Sequence, residues 1–420
     1  MLQRAFLLLV CTLTVTGCAD QYSGRYGSGS QFGTGNPQQL DLAGAGPQVS
    51  ARKVAILLPL TGARADLGVV LEQAAQLALP AGSNSNLDII DTAGTAGGAV
   101  LAAQAALRNG DKVILGPLTS VETAAVAPIA RSAGVNVLAF TNDTSQSQSG
   151  IWTIGVTPDQ QIRRLVAAAL GQGKTQFAAL LPDTDFGRAM ANALKKATGA
   201  NGLSPPTVHM HAPGMGSITS AARDLSDYAN RRGPIDAKVK AARAMGTAEG
   251  RREAQELLKT PIPPPKFNVL LLADTGDDLR EIAAVLPYYD VDRSAVQVVG
   301  PALWSSAASG SSSILGAWYA APDSNARANF EQDYAVKYGV PPPPLADLAF
   351  DAASIARVIV APQGVDLVAL TQPAGFVGAD GWLAFLPDGQ VRRGLAVFRV
   401  ESAGSTMIEP APQSSGTPGL

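Results

Sequence analysis

The chain has 420 residues, with 32 Lys and Arg against 34 Asp and Glu, a net charge of −2. That balance leaves no basic stripe for a polyphosphate backbone, which excludes nucleic acid as a partner. The length suffices for two ordinary domains, and only two cysteines occur, Cys11 and Cys18, so stability must come from packing rather than from a disulfide framework.

Met1 to Cys18 reads as a lipoprotein signal. Arg4 supplies the positive start and Ala5 to Val15 an apolar run too short to span a bilayer. Val15-Thr16-Gly17-Cys18 has the form of a lipobox that ends on the acylated cysteine, so Cys18 is the expected lipidation site. By likeness to sorted bacterial lipoproteins, Ala19 in place of Asp favours the outer membrane, with the protein facing the periplasm. No later uncharged apolar run approaches the roughly 20 residues of a spanning helix, so contact with the membrane is expected through the anchor only. Ala19 to Ser50 is rich in Gly, Ser, Gln and Pro and reads as a flexible linker of roughly 30 Å r.m.s. span.

From Lys53 short apolar runs alternate with alanine-rich helical segments, the pattern of parallel sheets wound with helices. The expected strands are Val54 to Leu58, Leu87 to Asp91, Val113 to Leu115, Asn136 to Phe140, Phe177 to Leu181, Thr207 to His211, Val269 to Ala273 and Val296 to Val299. The helices between them are Gly68 to Leu79, Gly98 to Asn109, Glu122 to Ala133, Gln160 to Gly171, Gly187 to Gly199 and Asp278 to Leu286. Two runs of about four βα units imply two lobes, with Ile151 to Gly155 as the first crossover. Pro213 to Pro265, highly charged and closed by a proline run, reads as exposed helices inserted into the second lobe. Further on, Ile314 to Ala321 reads as a strand returning to the first lobe, and Asn325 to Tyr338 and Ala346 to Val360 as amphipathic helices. Gly381 to Val400 reads as a hairpin turning at Pro387-Asp388-Gly389, with a Pro/Ser/Gly tail after about Ile408.

Catalytic constellations are scarce. His209 and His211, the only histidines, share one strand face with no Cys and no carboxylate in register, which is no metal site. There is no G-x-S-x-G elbow, no phosphate loop and no dinucleotide fingerprint, so neither enzyme activity nor a cofactor is expected. What recurs is a strand running into a short polar loop that starts a helix, the place where open α/β sheets bind ligands. The loop residues Thr61, Thr119, Ser120, Asn142 and Thr144 of the first lobe and Asp185, Phe186 and Asp274 of the second are the candidate cleft residues. Thr119, Ser120 and Asp185 are also residue types that a helix N-cap uses without any ligand.

Val54 to Gly62, Ile114 to Ser120, Leu181 to Gly187 and Gly378-Ala379-Asp380-Gly381 together resemble the type I periplasmic binding proteins of the leucine-binding sort. The finer similarity is to the LppC/LpoA-type lipoproteins, the penicillin-binding protein activators. It adds Leu286-Pro287-Tyr288-Tyr289, Gly300 to Trp304, Tyr338 to Pro341 and Gly381 to Phe385, and covers roughly residues 52 to 405. The resemblance implies two doubly wound parallel-sheet lobes joined by three crossovers. Lobe 1 then takes residues 51–153 plus 323–370 and lobe 2 residues 154–322 plus 371–407, with the insertion at about 213–265 and a tail at 408–420. In amino-acid binders of this family Thr119, Ser120, Asn142 and Thr144 would meet a carboxylate. The acidic partner of the ammonium is replaced here by Ala302-Leu303-Trp304, and an N-terminal helical-repeat domain typical of the activators is not expected because the linker runs directly into the first strand. The resemblance implies protein contact with a penicillin-binding protein (a peptidoglycan synthase) or, alternatively, a receptor role in an ABC importer for an amino-acid-like small molecule.

The anchor is testable by fractionation. Cys18→Ser is expected to move the protein from the membrane pellet to the soluble periplasmic fraction, and a variant that still sediments with membranes removes the lipoprotein reading.

Overall fold

The computed structural model describes residues 38–39, 52–80, 85–307, 312–361 and 364–414, so Cys18 and nearly all of the expected linker lie outside the described residues. The first lobe is built from β1 (Arg52–Leu58), α1 (Ala65–Ala78), β2 (Ser85–Asp91), α2 (Ala96–Asn109), β3 (Val113–Leu115), α3 (Ser120–Ser132), β4 (Asn136–Ala139) and β5 (Ile151–Thr153). All five strands are parallel, in the order β2-β1-β3-β4-β5. Val54 to Leu58 are fully buried because helices cover both faces of the sheet. Val54, Ile56 and Leu58 enter one core and Ala55 and Leu57 the other. On the second face Ala99, Ala102, Ala103 and Ala106 of α2 carry the packing, small side chains that let the helix lie close to the sheet.

The second lobe contains α4 (Pro158–Gly171), β6 (Phe177–Pro182), α5 (Asp185–Ala200), β7 (Thr207–His211), α6 (Met215–Leu225), α7 (Tyr228–Ala244), α8 (Ala248–Leu258), β8 (Val269–Leu272), α9 (Gly276–Val285), β9 (Gln297–Gly300) and β10 (Trp318–Ala321). The chain then returns to lobe 1 with α10 (Ser324–Tyr338) and α11 (Ala346–Ile359), whose Phe330, Tyr334 and Phe350 complete the core around α1. A small hairpin sheet follows, β11 (Phe376–Gly378), β12 (Gly381–Phe385) and β13 (Val391–Arg393), and after it β14 (Ala396–Glu401) and β15 (Gly404–Glu409). The lobe 2 sheet runs β7-β6-β8-β9-β10-β14-β15, parallel through β10 and antiparallel beyond. This is the two-lobed α/β architecture of parallel sheets expected from the sequence.

Three segments cross between the lobes: 154–157, 322–323 and 394–395. The first and third are tied together. Gln160 Nε2 donates to the Val391 carbonyl (2.6 Å), Arg164 Nε to the Leu395 carbonyl (2.8 Å) and Arg393 Nη2 to the Ile154 carbonyl (2.8 Å).

Several elements differ from the sequence expectation. Trp318–Ala321 is a lobe 2 strand, paired with both β9 and β14, and the return to lobe 1 comes after it. The expected hairpin over Gly381 to Val400 ends at Arg393: the chain leaves the small sheet at Gly394 and continues as a lobe 2 strand. Phe376, Leu383, Phe385 and Val391, expected in lobe 2, pack into the lobe 1 core. The tail is structured through β15, and Ala411 beyond it is buried. Within the expected linker, Gln38–Gln39 pairs in parallel with Phe376–Val377.

The expected insertion divides in two. Ile218, Ala222 and Leu225 of α6 are buried against Leu180, Leu272 and Ile282, so α6 is the crossover helix that any βαβ unit requires. Only α7 and α8 form an appendage, with a core of Val239, Ala242 and Ala254. Its base is fastened by Arg231, whose guanidinium donates to the carbonyls of Pro263 (2.8 Å), Ser226 (3.0 Å), Tyr289 (3.2 Å) and Asp290 (3.2 Å). Replacing residues 235–260 by a short Gly/Ser loop, which keeps Tyr228 and Arg231 at the base, is expected to lower stability by no more than ~1 kcal/mol, whereas Ile218→Ala should cost ~2–5 kcal/mol. Urea titrations of both variants check this; a larger loss from the arm than from Ile218 would make the arm part of the core.

Candidate functional site

The polar loops at the carboxyl ends of the lobe 1 strands are organised around the chain's own carboxylates. Asp91, the last residue of β2, accepts from Leu60 N–H (2.9 Å), Thr61 N–H (3.2 Å), Thr61 Oγ1 (2.6 Å) and Ala93 N–H (2.8 Å). Burial alone would raise its pKa, but the hydrogen bonds from Thr61, Ala93 and Leu60 hold the carboxyl below the usual carboxylate range. In the next loop Gly116, at φ +74°, lies against the Leu57 carbonyl, where a Cβ would sit 2.5 Å from that oxygen. Thr119 then caps α3: its hydroxyl (2.6 Å) and N–H (3.0 Å) both donate to Glu122 Oε2, and it accepts from Glu122 N–H (3.3 Å). Glu122 is fully buried, and its other oxygen accepts from Thr92 Oγ1 at 2.5 Å.

Ser120 Oγ donates to Asp143 Oδ2 (2.5 Å), and Asp143 Oδ1 accepts from Ser145 N–H (3.0 Å). Burial pushes the Asp143 pKa up, but the bonds from Ser120, Ser145 and Gln146 outweigh it and keep the carboxyl low. Asn142 and Thr144 are exposed, and the Asn142 amide makes no hydrogen bond among the described residues. Thr61, Thr119 and Ser120 are therefore engaged within the protein, and Asn142 and Thr144 are left free.

In lobe 2, Thr184 caps α5 by accepting from Gly187 N–H (3.1 Å). Asp185 is solvent-exposed and pairs with Arg188 (2.9 Å), which also reaches Asp183. Phe186 is half-buried against the core of α4 and α5. Asp274 is buried, with Oδ2 3.3 Å from His211 Nε2, while His211 Nδ1 lies 3.1 Å from the Ala212 carbonyl. The protonated ring can donate to both, so these two contacts favour the charged form of His211. Burial would lower the His211 pKa, but the bonds to Asp274 and Ala212 carry it above its ordinary value. Sequence reading left His211 without a carboxylate in register. Asp274 sits two strands away in the sheet, across β6, and strand order is not written in sequence spacing.

Trp304 belongs to the segment Ala302-Leu303-Trp304 that follows β9. It is fully buried, its indole N–H donates to the Asp274 carbonyl (2.9 Å), and its ring lies over Gly300, where a Cβ would come within 2.3 Å of it. The adjoining Ala302 N–H donates to Gln161 Oε1 of α4 (2.7 Å), which fixes the loop to the first crossover helix. A cavity of about 300 Å³ lies elsewhere, at the amino ends of β4 and β5, lined by Arg131, Asn136, Trp152, Leu367 and Pro387. Among the described residues no group of His, Cys, Asp and Glu is placed to hold a metal ion, and no helix is long and apolar enough to cross a membrane.

A family model described as "Periplasmic binding protein" matches residues 52–405. No curated protein matches the chain. Among solved structures, a putative branched-chain amino acid ABC transporter protein from Rhodospirillum rubrum is similar at TM-score 0.63 and 21% identity, over 85% of this chain and 100% of that one. Full-length LpoA from Haemophilus influenzae is similar at TM-score 0.62 and 16% identity over 89% of this chain. The match spans 60% of the length of that protein. The LpoA C-domain from the same organism, described as a regulator of PBP1A, is similar at TM-score 0.61 and 15% identity, over 85% of this chain and 99% of that one.

If the indole of Trp304 holds the second-lobe loop in place, Trp304→Ala should cost ~3–5 kcal/mol in a urea titration. A loss below about 1 kcal/mol would show that the ring merely occupies space.

Proposed function

Because the chain belongs to the periplasmic binding protein family over residues 52–405, we propose that it is a non-enzymatic lipoprotein, anchored at the outer membrane and facing the periplasm. In this reading it acts by protein contact on a penicillin-binding protein and so regulates peptidoglycan synthesis. The observation that carries the reading is the state of the first-lobe donors. A receptor for an amino acid needs hydroxyls and amides free to meet a carboxylate, and here Thr61 serves Asp91, Thr119 serves Glu122 and Ser120 serves Asp143. Each such charge-assisted bond contributes ~1.5–3 kcal/mol, so an incoming carboxylate would have to displace one already in place and meet its negative charge. On the other lobe the segment Ala302-Leu303-Trp304 offers no acid for an ammonium. The similarity to LpoA agrees with action by contact.

A second reading, a receptor of an ABC importer for an amino-acid-like ligand, is favoured by the free Asn142 amide and the half-buried Phe186, and by the similarity to the Rhodospirillum rubrum protein over that protein's whole length. A thermal-denaturation screen with leucine, other amino acids and benzoate separates the two. A receptor gains about 2.7 kcal/mol at a hundred times its dissociation constant; the contact reading expects no gain with any of them and co-purification of a penicillin-binding protein from solubilised envelopes. A saturable stabilisation that is lost in the Asn142→Ala, Phe186→Ala double variant would establish the receptor reading instead.

A further inference from the structure

Where the lobes join, the structure buries more negative than positive charge. Asp347 and Asp351 of α11, Asp380 of the turn between β11 and β12, and Arg393 at the end of β13 are all nine-tenths or more buried. Arg393 Nη1 lies 3.2 Å from Asp380 Oδ2, and its Nη2 donates to Ile154, the first residue of the first crossover. Asp351 accepts from the N–H groups of Ala379 (2.6 Å) and Asp380 (3.1 Å), and the Cα of Gly378 is pressed against its carboxyl. Asp347 receives a guanidinium bond from Arg327, which lies on α10 just past the second crossover and also reaches Glu331 (2.9 Å) and the Pro343 carbonyl (3.1 Å). The ionisable groups that face the cluster are therefore Arg327 and Glu331 from α10, Asp347 and Asp351 from α11, and Asp380 and Arg393 from the hairpin. All three crossovers border it, since Arg393 directly precedes the third.

Asp351 lies one helical turn from Asp347, and its bond from the Asp380 N–H brings the third buried carboxyl to the same place. Glu331 is exposed, so the buried part sets three carboxyls, Asp347, Asp351 and Asp380, against the guanidiniums of Arg327 and Arg393; it is neutral with one proton bound and carries an uncompensated negative charge without it. We propose that this cluster is a proton-operated latch on the lobe junction, which holds the crossovers in the observed arrangement while the cluster's proton is bound and frees them to move when it leaves. Burial, with the nearby Asp380 charge, raises Asp351 to about 7 and pushes Asp347 well above the usual carboxylate range. Groups whose pKa rises on folding contribute stability that is complete below the ordinary value of about 3.9 and is lost as pH rises through the folded-state value. The latch is therefore closed in acid and opens through neutrality. It does not depend on which partner or ligand the protein takes.

The test is the distance between lobes as a function of pH. Nitroxides at Gln104→Cys on α2 and Lys195→Cys on α5, both exposed positions, are placed in the chain carrying Cys11→Ser and Cys18→Ser and measured by pulsed dipolar spectroscopy at about pH 5.5 and about pH 8.5. A narrow interspin distribution at the lower pH, broadened or shifted at the higher, is expected. Asp347→Asn, which leaves two buried carboxyls against the two guanidiniums, should hold the narrow distribution at both pH values. If Asp347→Asn does not fold, Asp380→Asn makes the same substitution from the other side. A parent distribution that is unchanged between the two pH values overturns the proposal, as does an equal shift in a folded Asn variant.

Discussion

Segments of chain that lie 231 residues apart in sequence satisfy each other's backbone where the lobes meet: Gln160 serves the Val391 carbonyl, and Arg164 serves that of Leu395. Arg393 answers from the other side by serving the Ile154 carbonyl. The architecture creates this need. A parallel sheet is closed by helices on both faces, so a chain that leaves one sheet for another must cross in irregular backbone whose carbonyls find no ladder partner. An unsatisfied buried carbonyl costs roughly 1–3 kcal/mol, and three would consume much of a domain's net stability. Long polar side chains from α4 and from the end of β13 remove that cost, and they also require that the first and third crossings lie side by side.

The same economy recurs in the loops at the sheet ends. Where this fold can hold a ligand, the chain supplies carboxylates of its own, Asp91, Glu122 and Asp143, and each loop is closed by a partner from another loop: β1 to β2 through Thr61 and Asp91, β2 to α3 through Thr92 and Glu122, and α3 to the segment after β4 through Ser120 and Asp143. The loops at the rim of lobe 1 are thereby stitched to one another, with Asp91 and Asp143 at the surface and Glu122 buried beneath. Loops closed in this way are preorganised without a ligand.

Most of the α/β scaffold was legible in the sequence because it rests on local rules. Val54 to Leu58 is continuously apolar since both its faces are covered, and Thr95, Thr119, Thr157 and Thr184 mark helix starts with a hydroxyl three residues before the amide it caps. What the sequence did not disclose depends on which strands become neighbours. The charge between Arg223 and Lys259 disguised α6 as decoration, although Ile218, Ala222 and Leu225 carry a regular buried stripe. Gly394 breaks what reads as one long hairpin strand into pieces of two sheets, because its Cα is pressed against the Pro412 carbonyl and the chain turns there. The candidate loop residues were found as types, but that Thr119 and Ser120 are spent on Glu122 and Asp143 follows from packing, which spacing alone does not encode.

The two-residue pairing of Gln38–Gln39 with Phe376–Val377 has a mechanical consequence. Tension along the chain that precedes Gln38 enters the folded part at the small sheet of β11 to β13, whose side chains lie in the lobe 1 core. The two strands run in parallel and Gln38 N–H is held by the Gly375 carbonyl at 3.1 Å, so a pull along the strand loads their hydrogen bonds in shear, together, whereas a pull across it opens them one after another. The load path reaches β12 and β13 before it reaches any strand of lobe 2. A tethered molecule would thus bear force through one lobe and keep the other unloaded.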